Sequence, residues 1–212
     1  MSLFLGKIHY WLFNKVLWFQ GLEDEIIEFA KTKGLDIDNL KSKINLKYGE
    51  KLPNKNLEDM IDTSNIHGWL QSKIHSAEGR MAAWTREILS NDQDFILDMK
   101  KIYNKQGINA AKEAKVKFSI ITAEDIFNSM NDYILDGMPC DRVNEVVSSN
   151  NEVVEWKKRV CVHKEIWENE GISVDVFYDL RSEWIKAFVS EMNSDYEYVK
   201  LDENLQSIRK KV

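Results

Sequence analysis

Cys161 and His163 stand two residues apart at the end of a valine-rich stretch, RVNEVVSSNNEVVEWKKRVCVH, and no other thiol and imidazole of the chain lie so close in sequence. On an extended strand alternate side chains share a face, so the two would be neighbours. An imidazole beside a thiol can take its proton, and the thiolate is the nucleophilic form. The bland alternative is a semi-buried cysteine beside a surface histidine. Arg181 is the second unusual group, because it falls inside the apolar stripe Val174, Phe177, Trp184, Phe188 and Met192. A guanidinium buried there needs an anion. A ligand carboxylate would meet it bidentately; the alternatives are a structural ion pair with one of the chain's 35 acidic residues or a guanidinium reaching past the core edge to water. Cys161 and His163 are therefore the candidate catalytic residues and Arg181 the candidate ligand clamp. Trp156 and Arg159 on the same stretch and Cys140 at its entry are further candidate ligand contacts.

A second constellation, His67, Gln71, His75 and Glu78, recurs at helical spacing along one edge. Such an edge can contribute to a zinc or iron site, which His9 or Cys140 could complete. The same spacing also describes a polar boundary between a buried stripe and solvent. The first reading expects no cofactor; the metal belongs to the alternative.

These groups must be positioned by helices and a little β-structure. Leu5, Ile8, Leu12, Val16 and Phe19 recur at helical spacing in the aromatic N-terminal segment. LEDEIIEFAKTKG then reads as a second helix, acidic at its start and closed by Gly34. Asp38 caps a short helix to Tyr48, and a cap near Thr63-Ser64-Asn65 starts one whose stripe is Ile66, Leu70, Ile74, Ala77, Met81, Trp84 and Ile88. Further helices run from Gln93 to Gln106 with Gly107 behind, and from the Thr122 cap towards Gly137. INAAKEAKVKF lies between them. A short helix ends at Gly171, and Ser173 caps the last long one.

The valine-rich segment admits two readings. Coiled, it aligns Val153, Trp156, Val160, His163 and Trp167; extended, it puts Val154, Trp156, Val160 and Val162 on one face and Arg159, Cys161 and His163 on the other. Valines on both sides of a Ser-Ser-Asn-Asn turn favour the hairpin. The fold class is α+β, helix-dominated. An N-terminal helical region spans 1–90 and an α+β ligand-binding-like region 91–212, with a β-hairpin over about 142–162 and a short terminal strand over about 195–201.

At 212 residues, 30% charged and 43% hydrophobic, the chain has the composition of a protein that builds its own core. A net charge of −6 without a dense basic tract argues against nucleic-acid partners and anionic membranes. Lys7, His9, Asn14 and Lys15 interrupt the N-terminal segment, which lacks a clean membrane span and a signal cleavage site. Two cysteines without a secretion signal point to a reducing, cytoplasmic setting.

From Trp84 onward the order of pieces resembles the aminothiazoline-carboxylate hydrolase family and its uncharacterised relatives. The residues that carry the resemblance are KIYNKQGINAAKEAK, the pair RVNEVVSSNNEVVEWKKRVC, and VHKEIWENEGISVDVFYDLRSEWIKAF with a short strand after it. The resemblance implies Cys161 as nucleophile or polarising thiol, His163 as general base and Arg181 as clamp on a substrate carboxylate. The later cysteine expected near that family's terminal strand is absent here.

The function expected is a small-molecule-binding protein for an acidic ligand, with a hydrolase acting on a small carboxylate-bearing molecule as the enzymatic form. A non-catalytic metal-binding or sensor protein is the alternative. A structural homodimer through the aromatic N-terminal helix is the third.

Overall fold

The computed structural model describes residues 5–117 and 122–211. The first four residues of the aromatic segment, and Phe118 at the end of INAAKEAKVKF, lie outside them. Among the described residues the fold is α+β and helix-dominated, with a four-stranded antiparallel sheet built largely from the C-terminal third. The chain divides into two compact units, Met1–Phe95 with His163–Val174, and Ile96–Val162 with Asp175–Val212.

The first unit is helical. It is built on α1 (Lys7–Thr32), α2 (Ile37–Tyr48) and α3 (Ile66–Asn91), with the short α6 (Lys164–Asn169) returning to it late in the chain. The sequence predicts a second helix beginning at Leu22, yet α1 runs through Gly21 and Leu22 unbroken. A mid-helix glycine costs about 1 kcal/mol, and buried Val16, Leu22 and Ile26 on either side hold the turn closed. The buried side of α1 is also rotated from the expected stripe: His9, Leu12, Phe13, Val16, Gln20, Glu23, Ile26 and Ala30 are inside, while Ile8 is exposed. Asp36 rather than Asp38 caps α2, its side chain accepting from the Asn39 amide at 3.2 Å. Asn65 caps α3 by accepting from the Gly68 amide, as the sequence suggests, and the whole stripe from Ile66 to Ile88 is buried. Gly79 in α3 leaves room for the Tyr48 ring to lie against the helix.

The second unit packs helices on one face of the sheet. Here α4 (Phe95–Lys117) is a single helix, where the sequence predicts an end at Gly107. That glycine serves an approach instead of a stop: a methyl group there would run into the Trp184 carbonyl and Ala187 on α7 (Val174–Met192). α5 (Ala123–Met130) opens on a capping box between Thr122 and Asp125 and stops well short of Gly137. Its Phe127 meets Trp156 at a ring separation of 4.9 Å.

The valine-rich segment is a hairpin, β1 (Asn144–Ser149) and β2 (Val153–Lys158). The terminal strand is β3 (Tyr196–Lys200), and a fourth strand that the sequence reading lacks, β4 (Leu205–Lys210), inserts between it and the hairpin in the order β1-β2-β4-β3. β2 stops at Lys158, so Arg159, Cys161 and His163 do not share a strand face. Val160, expected inside, is 49% exposed. No helix among the described residues is long and apolar enough to cross a membrane.

Candidate functional site

Register decides where the second unit opens. Cross-strand partners lie on one face of a sheet, and Val154, Ile208 and Tyr198 form one such row. The next row on that face is Trp156, Gln206 and Lys200, and Lys158 follows Trp156 along β2. The face is apolar under α5, where Val154, Trp156 and Ile208 are buried. It turns polar one row later. Asp175, Tyr178, Asp179 and Ser182 recur at helical spacing on α7 and face that polar end. With Glu203 and Asn204 of the β3–β4 turn they enclose a cleft of about 530 Å³.

The cleft carries a mixed charge. Lys158 and Lys200 offer ammonium groups, and Asp175, Asp179 and Glu203 offer carboxylates. The Lys158 ammonium lies 3.9 Å from the centre of the Tyr178 ring, which fixes both side chains. Tyr178 donates to the Cys161 thiol at 3.1 Å, and Tyr198 donates to Gln206 Oε1 at 2.7 Å. Burial, and then the bond to the Cys161 thiol, hold the Tyr178 hydroxyl far above the usual phenol range. Burial also raises Tyr198, against the opposing effects of Ser182 and Arg181. Both hydroxyls therefore keep their protons at neutral pH.

None of the candidate residues of the hairpin region lines this cleft. Trp156 is a core residue, 2% exposed, between Phe127 and Tyr198. Arg159 is at the surface with only a loose pairing to Glu145 at 3.7 Å. Cys140 is exposed in a short turn before β1, and Cys161 is half-buried behind Tyr178. Arg181 does meet an anion, but one from its own unit: Asp136 accepts from both of its terminal nitrogens, at 2.8 and 3.0 Å, and from Asn144 at 2.6 Å. Burial works against the guanidinium charge, yet Asp136 outweighs it and holds the arginine's pKa above its ordinary value. The clamp predicted for a ligand is thus closed on a side chain.

His163 lies in the first unit, 1% exposed, with Nδ1 2.5 Å from Glu78 Oε1. Trp167 of α6 donates to the same oxygen at 3.2 Å. Glu78 is 2% exposed, so this trio is a buried fastening between α3 and α6. The expected metal edge is divided: Glu78 belongs to His163, His75 stands beside Gln71 at 3.5 Å, and His67 faces His9 at 3.4 Å. Among the described residues no group of three or more His, Cys, Asp or Glu side chains is arranged to hold a metal ion.

Two polar clusters of the first unit escaped the sequence reading. Arg80 donates from Nε to both oxygens of Glu23, at 2.9 and 3.1 Å, and each side chain is 1% exposed. Glu170, behind α6, is equally buried and accepts from Lys47, Tyr48 and Arg86. Burial alone would raise the Glu170 carboxyl, but those donors outweigh it and hold it below the usual range. A carboxyl lowered in the fold contributes fully above its unfolded pKa, about 4.3, and loses that contribution as pH falls through the folded value. Lys47 and Arg86 are partly exposed, so water screens their share. Glu170→Gln is expected to cost about 1–2 kcal/mol at neutral pH and to flatten the acid side of the stability curve. Urea titrations across that pH range would show an unchanged acid limb if the assignment is wrong.

No protein-family model, no curated protein and no solved structure matches this chain.

Proposed function

We propose that the C-terminal unit binds a small carboxylate-bearing molecule in the cleft between α7 and the polar end of the sheet. The observation that carries this reading is the change of character along one sheet face. Rows that are apolar beneath α5 give way to Gln206, Lys200 and Lys158, opposite a polar stripe of α7 around a cleft of about 530 Å³. That volume falls within the range of small-molecule sites. Lys158 and Lys200 supply the cations for a carboxylate, and Asp175 and Asp179 favour a ligand that also carries an amine or hydroxyl donors. The reading is one of binding. The nearest thiol, Cys161, meets the cleft through the Tyr178 hydroxyl, and the buried His163 is engaged with Glu78.

Melting curves recorded with a panel of small hydroxy and amino acids test it, since a ligand that binds only the folded state raises the transition. At least one member is expected to raise it by several degrees. Ser182→Trp, which fills the cleft from α7, and Lys158→Met, which removes a cation from the sheet side, are both expected to abolish that rise. A panel without effect, together with native mass spectra showing no copurified small molecule, would sink the proposal.

A further inference from the structure

His9 near the start of α1 and His67 in the first turn of α3 bring their Nε2 atoms to 3.4 Å, with ring centres 5.5 Å apart. Two imidazoles bound to one tetrahedral zinc ion at 2.0–2.1 Å place their ligating nitrogens about 3.3–3.4 Å apart. The pair therefore already stands at the separation of two ligands sharing an ion. His9 is 7% exposed and fixed by its helix, whereas His67 is exposed, so one ring is held and the other is open to solvent. We propose that His9 and His67 form a two-imidazole site for a divalent cation of the zinc, nickel and copper group, with water in the remaining positions. Imidazole nitrogen suits that group over the harder cations.

The hydrogen bonds define what capture must change. The Gly6 amide donates to His9 Nδ1 at 2.9 Å, so the proton of neutral His9 sits on Nε2, directed at His67 Nε2. His9 Nε2 can ligate an ion only after its proton has moved to Nδ1, which ends the contact with the Gly6 amide. Between two neutral rings this shift releases no proton to solvent; in acid, imidazolium cannot ligate and the ion is lost.

Zinc alone, titrated into the full chain near neutral pH, tests the site by calorimetry and by nitrogen-15 spectra of the imidazole rings. One ion per chain is expected, with the His9 proton passing from Nε2 to Nδ1. His67→Ala, an exposed and mild change, is expected to weaken zinc binding at least about tenfold. His75→Ala, on the same helix but not at the pair, is expected to leave it unchanged. Any background from the exposed Cys140 thiol is common to all three proteins. Absence of zinc binding, equal affinity in His67→Ala, loss in His75→Ala, or an unchanged His9 tautomer would each overturn the proposal.

Discussion

Arg80→Met is expected to destabilise the helical unit by about 3–5 kcal/mol, the usual cost of removing one partner from a buried ion pair. The substitution leaves the Glu23 carboxylate, 1% exposed, without the guanidinium that grips both of its oxygens. It also removes the Nη1 donor from the Gly49 and Glu50 carbonyls and from the Ser76 hydroxyl, bonded at 3.3, 3.3 and 2.7 Å, although the hydroxyl keeps its bond to the Tyr48 carbonyl. The Gln20 amide, with its oxygen turned toward Arg80 Nη2 at 3.0 Å, loses a partner too. Burial raises the Glu23 carboxyl even in the intact protein, with Arg80 pulling the other way. A carboxyl raised in the fold favours folding below its unfolded pKa and loses that contribution as pH rises through the folded value. The deficit of Arg80→Met should accordingly shrink as pH falls from neutral toward about 5. Glu23→Leu combined with Arg80→Met removes both charges and should recover most of the loss. Urea midpoints for the two variants and the unaltered chain decide the matter. An Arg80→Met midpoint equal to that of the unaltered chain would mean that the pair is not buried as described.

Helix α3 shows why much of this fold was legible. Ile66, Leu70, Ile74, Ala77, Met81, Trp84 and Ile88 form a continuous buried apolar stripe, and Asn65 is a cap by residue type, so periodicity and capping agree. The hairpin was legible for the same kind of reason, because two valine runs around a polar turn support only a few arrangements. α1 was misread because its inner stripe includes Gln20 and Glu23. A hydrophobic pattern discards such residues, and Arg80, at a core position of another helix, supplies the partner that makes them tolerable. The signal was present as opposite charges at core positions of two helices, but pairing them requires knowing that α1 and α3 touch.

Glycine and short polar strands account for the remaining differences. Gly107 reads as a helix end by type, yet it and Gly21 both lie within helices, since a local preference of about 1 kcal/mol yields to packing on either side. β4 was missed because Leu205-Gln206-Ser207-Ile208-Arg209-Lys210 carries only two apolar residues. Asp202, which accepts from the Asn204 and Leu205 amides, was the available turn signal. The same polarity makes Gln206 part of the cleft. The apolar stripe around Arg181 calls for an anion, and nothing in it tells Asp136 from a ligand. The Cys161 and His163 pairing rests on a strand that ends at Lys158, before either residue is reached.

His163→Leu is the second large effect expected, and it concerns the segment that returns to the helical unit. His163 gives the Glu78 carboxylate its closest partner, at 2.5 Å, in surroundings where His163, Glu78 and Trp167 are all at most 2% exposed. Leucine fills a similar volume but offers no donor, so the carboxylate keeps the Trp167 indole N–H and loses its counter-group. An uncompensated buried charge of this kind costs about 3–5 kcal/mol. The loss should appear first at α6, a helix too short to hold itself, as faster amide exchange and protease cleavage within residues 163–174. Glu78→Gln added to His163→Leu should restore much of the protection, because a neutral amide oxygen still accepts from Trp167 and leaves no buried charge. If His163→Leu alone left exchange at α6 unchanged, the imidazole would not be fastening that helix, and its burial would have to be explained by shape alone.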